Sequence, residues 1–318
     1  MTDTHKQILS VCPSDDDLDA MLKRLNLANT RRLWPELVRR AEQEQWSYRD
    51  YLAMLCAEEI GHRQQTRLQR AVREARFPFL RTIEEFDFTL QSMLKLSLLG
   101  SYLGPELISE GRNLILQGKT GRGKTHLAIA IAYRAIQNGY NALFCTAAAL
   151  VEHLSTAGQQ GHLRKTLSKY THPHVLVIDE VGYLTYGPDA ANVLFHVIND
   201  RHISGKPVIF TTNKSPFSQW GAVLHDEDLA EAIVDRTLER GRLIILDGPS
   251  ARTRHLAEDS VLKANGKPAR ISGKRRPDYP EPATRDLTAH EPGGVRHQDA
   301  PDRHPDMASD EIGNTLKS

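Results

Sequence analysis

Two rhythms of apolar positions divide this chain. In the first eighty residues the apolar side chains recur every three or four positions. Leu18, Met21, Leu22 and Leu25 follow that spacing, which predicts an amphipathic helix. Ser14 and Asp17 precede it at capping-box spacing, with acids in the first turn. A second helix is predicted around Leu33 to Gln43, with Pro35 tolerable only in its first turn. Ser47 and Asp50 open a third, longer helix running to about Phe77, where Pro78 stops it. On that helix Leu68, Val72 and Ala75 share one side. Arg63, Arg67 and Arg70 fall on the opposite side, within about 60° of one another at roughly 100° per residue.

From about Ile83 the rhythm changes to short continuous apolar runs. NLILQ, ALFCT, HVLVIDE, PVIFTTN and RLIILD read as strands apolar on both faces, separated by helical stretches. The expected fold class is therefore α/β, a parallel sheet covered by helices. After Ala257 the composition turns to Pro, Gly, Arg, His and Asp without apolar periodicity, so that segment is expected to be disordered. The expected organisation is a small all-helical N-terminal domain over 1–82, a sheet domain over 83–256 and a basic, Pro-rich tail over 257–318.

Composition narrows the function classes. The 318 residues are 40% hydrophobic and 25% charged, ordinary for a soluble protein. No apolar run approaches the roughly 18 residues of a membrane span, and the first residues lack a secretory pattern. Cys12, Cys56 and Cys145 lie far apart, with no CxxC pair. These features predict a cytoplasmic protein with no membrane partner. The net charge of +1 is uninformative, but its distribution is uneven. Between Gly61 and Thr82 stand Arg63, Arg67, Arg70, Arg73, Arg76 and Arg81 against Glu74 alone. A basic stripe backed by an apolar one suits either solvent or a DNA backbone.

The chemistry centres on GKTGRGKT, Gly118 to Thr125, which fits Gly-x-x-x-x-Gly-Lys-Ser/Thr. A strand leads in and a helix from Lys124 to about Gln137 leads out, aiming its N-terminus at bound phosphates. The candidate nucleotide-binding residues are Gly118, Lys119, Thr120, Gly121, Arg122, Gly123, Lys124, Thr125 and His126. Lys124 would reach the β- and γ-phosphates of ATP, and the Thr125 hydroxyl would ligate Mg²⁺. HVLVIDE delivers Asp179 to the edge of the sheet, where it can hold the Mg²⁺ shell. Glu180 follows and can polarise a water for attack, which favours hydrolysis over transfer to an acceptor. Asn213, at the tip of VIFTTN, is either a turn residue or a sensor of the γ-phosphate. Arg236, on a helix before the last strand, is either a surface partner of Glu239 or a catalytic arginine, with Arg240 and Arg242 as rivals for that role.

With these residues in hand, the chain resembles the IstB-type transposition helper ATPases, kin of the DnaC-type helicase loaders. The resemblance spans roughly residues 15 to 256. It rests on RNLILQGKTGRGKTHLAIAIA, VLVIDEVGYL, VIFTTN, SQWGAVLHDEDLAEAIVDR and FPFLRTIEEFDF. It implies a P-loop AAA+ ATPase core without the usual helical lid, self-association into an ATP-dependent oligomer on double-stranded DNA, and a partner transposase. It also implies nucleotide roles for Lys124, Thr125, Asp179, Glu180, Asn213 and Arg236, the last as a finger reaching a neighbouring subunit. Ala147 to Tyr170 corresponds to a helical insertion whose Arg164, Lys165 and Lys169 join Arg63, Arg67, Arg70 and Arg73 as candidate DNA contacts. The loop interior, with Arg122, and Ser250-Ala251-Arg252 after the last strand depart from the usual pattern. A replicative helicase loader and, from another class, a P-loop small-molecule kinase are the alternatives.

Overall fold

Each of the five apolar runs forms a strand. The computed structural model describes residues 13–91, 94–183, 186–215 and 217–250. It places β1 at Asn113–Gln117, β2 at Ala142–Thr146, β3 at Val175–Val181, β4 at Val208–Thr212 and β5 at Gly241–Ile245. All pair in parallel, in the order β2-β3-β4-β1-β5. Parallel neighbours need crossovers, and helices supply them. These are α6 (Lys124–Gln137), α7 (Ala147–Gln159), α8 (Leu163–Thr171), α9 (Ala190–Ile203), α10 (Gln219–Leu224) and α11 (Glu227–Glu239). They are preceded by α1 (Asp15–Arg24), α2 (Ala28–Gln43), α3 (Tyr48–Ala75) and two single turns, α4 (Gly100–Leu103) and α5 (Glu106–Ser109). Among the described residues no helix is long and apolar enough to cross a membrane.

The sheet separates two apolar cores, which explains why its strands lack polar alternation. Ile115, Leu176, Ile178 and Phe210 face one core with α7, α9, α10 and α11. Leu114, Leu116, Val177 and Ile209 face the other, beneath α6 and the end of α3. Successive side chains point to opposite faces, so every position must be apolar. The exception is β5. It lies at an edge, and its Ile245 is 53% exposed, so the expectation of a strand buried on both faces fails there.

The N-terminal helices follow their capping signals. Ser14 and Asp17 form a reciprocal capping box, and the Ser47 hydroxyl accepts from the Asp50 amide. The third helix stops at Ala75, with Arg76 in the left-handed conformation, two residues before the expected end. The second helix corrects the sequence expectation: it starts at Ala28, so Pro35 lies inside it rather than in its first turn. Its first turn has no side-chain cap of its own. Instead the Thr30 amide and hydroxyl both donate to the Glu59 carboxylate on α3, at 2.9 and 3.1 Å. That tertiary cap holds an orphan amide and offsets the helix-breaking residue downstream.

Arg201, fully buried on α9, donates to the carbonyls of Tyr170, Pro173, His174 and Pro207. It fastens the end of α8 to the entry of β3 and β4. Nothing in the sequence pattern distinguishes it from a surface arginine. Arg252 and the segment 257–318 lie outside the described residues.

Candidate nucleotide site

The strand order brings three carboxyl ends together. β4 lies between β1 and β3, so the loop after β1, the acids of β3 and Asn213 after β4 share one edge. Open parallel sheets bind ligands at that edge. The Gly118 amide donates to the Thr212 carbonyl at 3.1 Å, which fixes the start of the loop against β4.

Two glycines in the loop are required by geometry. Gly121 has φ +83° and Gly123 φ +89°. A Cβ on Gly121 would stand 2.3 Å from Ser250 Oγ, and one on Gly123 would stand 2.9 Å from Phe86 Cε2. Conformation therefore disfavours a side chain at both positions, and at Gly123 the Phe86 ring also leaves no space for one. Phe86, from the segment joining the helices to the core, packs behind the loop and meets the His126 ring edge-on at 5.3 Å. The His126 ring also contacts the Thr82 carbonyl at 3.0 Å. Its side chain therefore anchors the loop to the preceding segment, leaving its backbone in the first turn of α6.

Lys124 is 6% exposed. Its ammonium donates to the carbonyls of Gly118 and Lys119, at 2.8 and 3.0 Å, and lies 3.4 Å from the Tyr183 hydroxyl. Tyr183 also reaches Thr120 Oγ1 at 3.4 Å. The Arg122 guanidinium turns to the Leu246 carbonyl at 3.1 Å, and its own carbonyl accepts from the Gln91 amide. It braces the loop against the chain after β5. Lys119 and Thr120 form the outer, exposed rim.

The Thr125 hydroxyl donates to both oxygens of Asp179, at 3.0 and 3.1 Å. Thr211, on the neighbouring strand, also donates to Asp179. The carboxylate is 4% exposed and forms no ion pair among the described residues. A bulge in the β3–β4 pairing lies between Ile178 and Val181. Within it Glu180 has φ +62°, an exposed side chain, and an amide donating to Thr211 Oγ1 at 3.0 Å. The bulge thus sends two consecutive acids in different directions, one inward to Thr125 and one outward. Tyr183 and Thr211 escaped the sequence reading. The only signal for Thr211 was a polar residue late in an otherwise apolar strand.

Arg236 lies apart from this cluster. Its guanidinium stacks over the Phe195 ring, 4.4 Å from the centroid. Glu239 contacts His202 at 3.3 Å, so it is not the partner of Arg236. Arg236, Asn199, His202 and Asp235 line an open groove of about 590 Å³.

The candidate DNA residues lie on two helices, α3 and α8. Arg63 donates to Glu59 and to the Asn26 carbonyl, at 2.8 and 2.7 Å. Arg67 donates to the Gly139 carbonyl at 2.6 Å. It stays exposed but reaches across to the turn after α6, so this part of the stripe is engaged by the chain itself. Arg70 pairs with Glu74 at 3.0 Å in solvent. Arg73, Arg164 and Lys165 are exposed, and none forms an ion pair among the described residues. Lys169 turns inward on α8 to the Tyr170 ring at 5.2 Å.

Comparison with known proteins bears on this geometry. The family model described as IstB-like ATP binding protein matches residues 20–259. The ATP-binding protein of insertion sequence IS21 from Pseudomonas aeruginosa is 32% identical over 252 residues, covering 79% of this chain and 94% of that one. The ATP-binding protein of insertion sequence IS5376 from Geobacillus stearothermophilus is 38% identical over 231 residues, covering 73% and 91%. The crystal structure of the DnaC helicase loader aligns at 23% identity and a TM-score of 0.42, over 48% of this chain and 87% of that chain.

Proposed function

The chain belongs to the IstB-like ATP binding protein family, and from that premise we propose that it is an ATP-hydrolysing, DNA-binding helper of a partner transposase. On this reading copies assemble on duplex DNA in the presence of ATP and separate once it is hydrolysed, within the cytoplasm. The names of the relatives, ATP-binding proteins of insertion sequences, support the link to transposition.

The observation that carries the reading is the Thr125–Asp179 pair beside a glycine-built loop and a buried lysine. A hydroxyl and a carboxylate, both oxygen donors, fit a hard divalent cation. Mg²⁺ held there would neutralise charge on the phosphate oxygens. Lys124 would exchange its two loop carbonyls for the β- and γ-phosphates. Glu180, exposed next to Asp179, would accept a proton from the attacking water, with Asn213 orienting that water. Arg236 of one copy would serve the nucleotide of the next, adding positive charge at the transition state. Arg73, Arg164 and Lys165 are the most available phosphate contacts. Arg63, Arg67, Arg70 and Lys169 would contribute by exchanging or extending their present contacts.

The test is steady-state ATP hydrolysis with and without long duplex DNA, at low and moderate salt. Stimulation that fades with salt is expected. Lys124→Ala should abolish nucleotide binding, whereas Glu180→Gln should bind ATP and stay assembled on DNA. Turnover indifferent to DNA at both salts would overturn the reading.

A further inference from the structure

We infer that a second anion site, built for one phosphate group and separate from the nucleotide loop, lies where the end of α3 meets α8. A cavity of about 310 Å³ opens there, lined by Arg76, Cys145, Thr146, His153, Lys169 and Tyr170 among others. No acidic side chain lines it. Arg76 comes from the left-handed residue that ends α3, and Lys169 from the inward side of α8. Neither forms an ion pair among the described residues. The ammonium of Lys169 lies over the Tyr170 ring, 5.2 Å from its centroid.

Two cations facing one cavity repel, and the site bears marks of that repulsion. Burial first, and Arg76 second, pull Lys169 below its ordinary value. Burial, then Lys169 and Arg76, pull His153 down as well, and its ring nitrogen contacts the Tyr170 hydroxyl at 2.8 Å. The imidazole therefore adds a polar wall without adding charge at neutral pH. An anion between Arg76 and Lys169 would convert their repulsion into two attractions in a partly desolvated place. Thr146, the N-cap of α7, and Ala149 line the same cavity, the Thr146 hydroxyl accepting from the Ala149 amide at 3.2 Å, so the positive end of a thirteen-residue helix lies there already capped on one amide.

Position gives the site a role. Thr146 stands opposite Asp179 in the β2–β3 register, so the cavity abuts the strand carrying the acids of the nucleotide site. It also bridges the last residue of the N-terminal helices to the helical insertion. A phosphate held there would tie α3, α7 and α8 together at one end of the sheet. The phosphodiester of duplex DNA is the source that matches the proposed function, and the choice of that source rests on it. Free phosphate offers the same chemistry.

Two measurements on the full chain separate these cases. In the first, DNA affinity is measured across salt for the wild type and for Arg76→Gln/Lys169→Gln. The double variant should flatten the log–log salt slope by about 0.9, the loss of one phosphate contact. Unchanged thermal unfolding and ATP binding establish that the variant is folded. In the second, inorganic phosphate is titrated while the Lys169 side chain and the Ala147 and Ala149 amides are followed by NMR, with chloride at equal ionic strength as reference.

A flatter slope supports the site with DNA as its ligand, whatever free phosphate does. Saturable shifts with phosphate but an unchanged slope support a small-anion site and remove DNA as the source. If the wild type does not bind DNA, the proposed function fails and the phosphate titration alone decides the site. An unchanged slope in a folded variant, with no response to phosphate, overturns the inference.

Discussion

The sheet with its covering helices and the N-terminal helices are stabilised by different physics. Around the sheet, Leu114, Ile115, Leu116, Val177, Ile178 and Phe210 are all 0% exposed. In α1, α2 and the first half of α3, Leu22 is the one buried apolar side chain among the described residues. Met21, Leu25, Tyr48, Leu52 and Ile60 are exposed. What joins those helices is polar: Thr30 to Glu59, Asn29 to the Glu58 carbonyl, Arg63 to the Asn26 carbonyl. Apolar burial contributes about 25 cal/mol per Å², whereas each such hydrogen bond contributes a net ~1 kcal/mol. The difference predicts a cooperative core carrying a region that opens locally at lower free energy.

The largest effect should come from the core. Trp220 is fully buried, with its ring edge-on to Phe210 at 5.5 Å and Phe217 at 5.9 Å. Trp220→Ala should cost about 3–5 kcal/mol and lower the denaturation midpoint of the whole chain. A loss confined to a local segment would break the comparison, because it would make the core no more cooperative than the helices.

Glu59→Ala should do the reverse, costing about 1–3 kcal/mol by leaving the Thr30 amide without its acceptor and Arg63 with the Asn26 carbonyl alone. Hydrogen exchange should quicken in α1 and α2 while the strand amides keep their protection. The effect has a pH counterpart. Burial alone raises the Glu59 carboxyl, but the Thr30 amide, Arg63 and the Thr30 hydroxyl together hold it below its ordinary value of 4.5. A depressed carboxyl contributes stability above its unfolded value and loses it as pH falls through the folded one. The N-terminal helices should therefore loosen first as pH drops below 4.5, with the core still protected. Simultaneous loss of both regions on acidification would show that they unfold as one unit.

The same contrast governs what could be read from the sequence. The strands were legible because a sheet between two cores demands unbroken apolar runs, and NLILQ and HVLVIDE leave no other use for such residues. β5 misled because RLIILD has the same composition at an open edge, and edge position depends on strand order rather than on local pattern. The glycine-rich loop and Thr125 were singled out by their spacing, and Asp179 by its place at the end of an apolar strand; the fold brings Thr125 and Asp179 into contact. Tyr183 over Lys124, Thr211 on Asp179 and Phe195 under Arg236 were not, since each meets its partner only through the tertiary fold. Helix existence in the first eighty residues was legible, but burial was not. Periodicity at Leu18, Met21, Leu22 and Leu25 predicts a face, yet Met21 and Leu25 are 43% and 65% exposed. Nothing in the sequence pattern singles out Glu59, yet its carboxylate caps the first turn of α2.

Pro35→Ala offers a smaller effect of opposite sign. A proline inside a helix removes one backbone bond and crowds the preceding turn, costing ~3 kcal/mol, partly offset by the freedom it removes from the unfolded chain. Its replacement should stabilise the N-terminal helices by about 1–2 kcal/mol, seen as slower exchange in α2 with the core unchanged. Destabilisation would mean that the proline-shaped α2 is needed for α1 to pack.

The finest division of the two regions runs through two neighbouring arginines. Arg67 donates to the Gly139 carbonyl, at the end of the helix that follows the phosphate loop, and so crosses from α3 to the core. Arg70 pairs with Glu74 on its own helix, and their side chains are 75% and 59% exposed. A charged donor on a carbonyl contributes about 1.5–3 kcal/mol at most and less when solvent reaches it, whereas an exposed i,i+4 pair contributes about 0.3–0.5. Arg67→Ala should therefore cost about 1 kcal/mol and quicken exchange at Tyr140 and along the second half of α3. Arg70→Ala should change stability by under about 0.5 kcal/mol, less still in high salt, where exposed pairs are screened. If the two substitutions cost the same, Arg67 adds nothing at the boundary, and apolar packing of Leu68, Val72 and Ala75 alone holds α3 to the core.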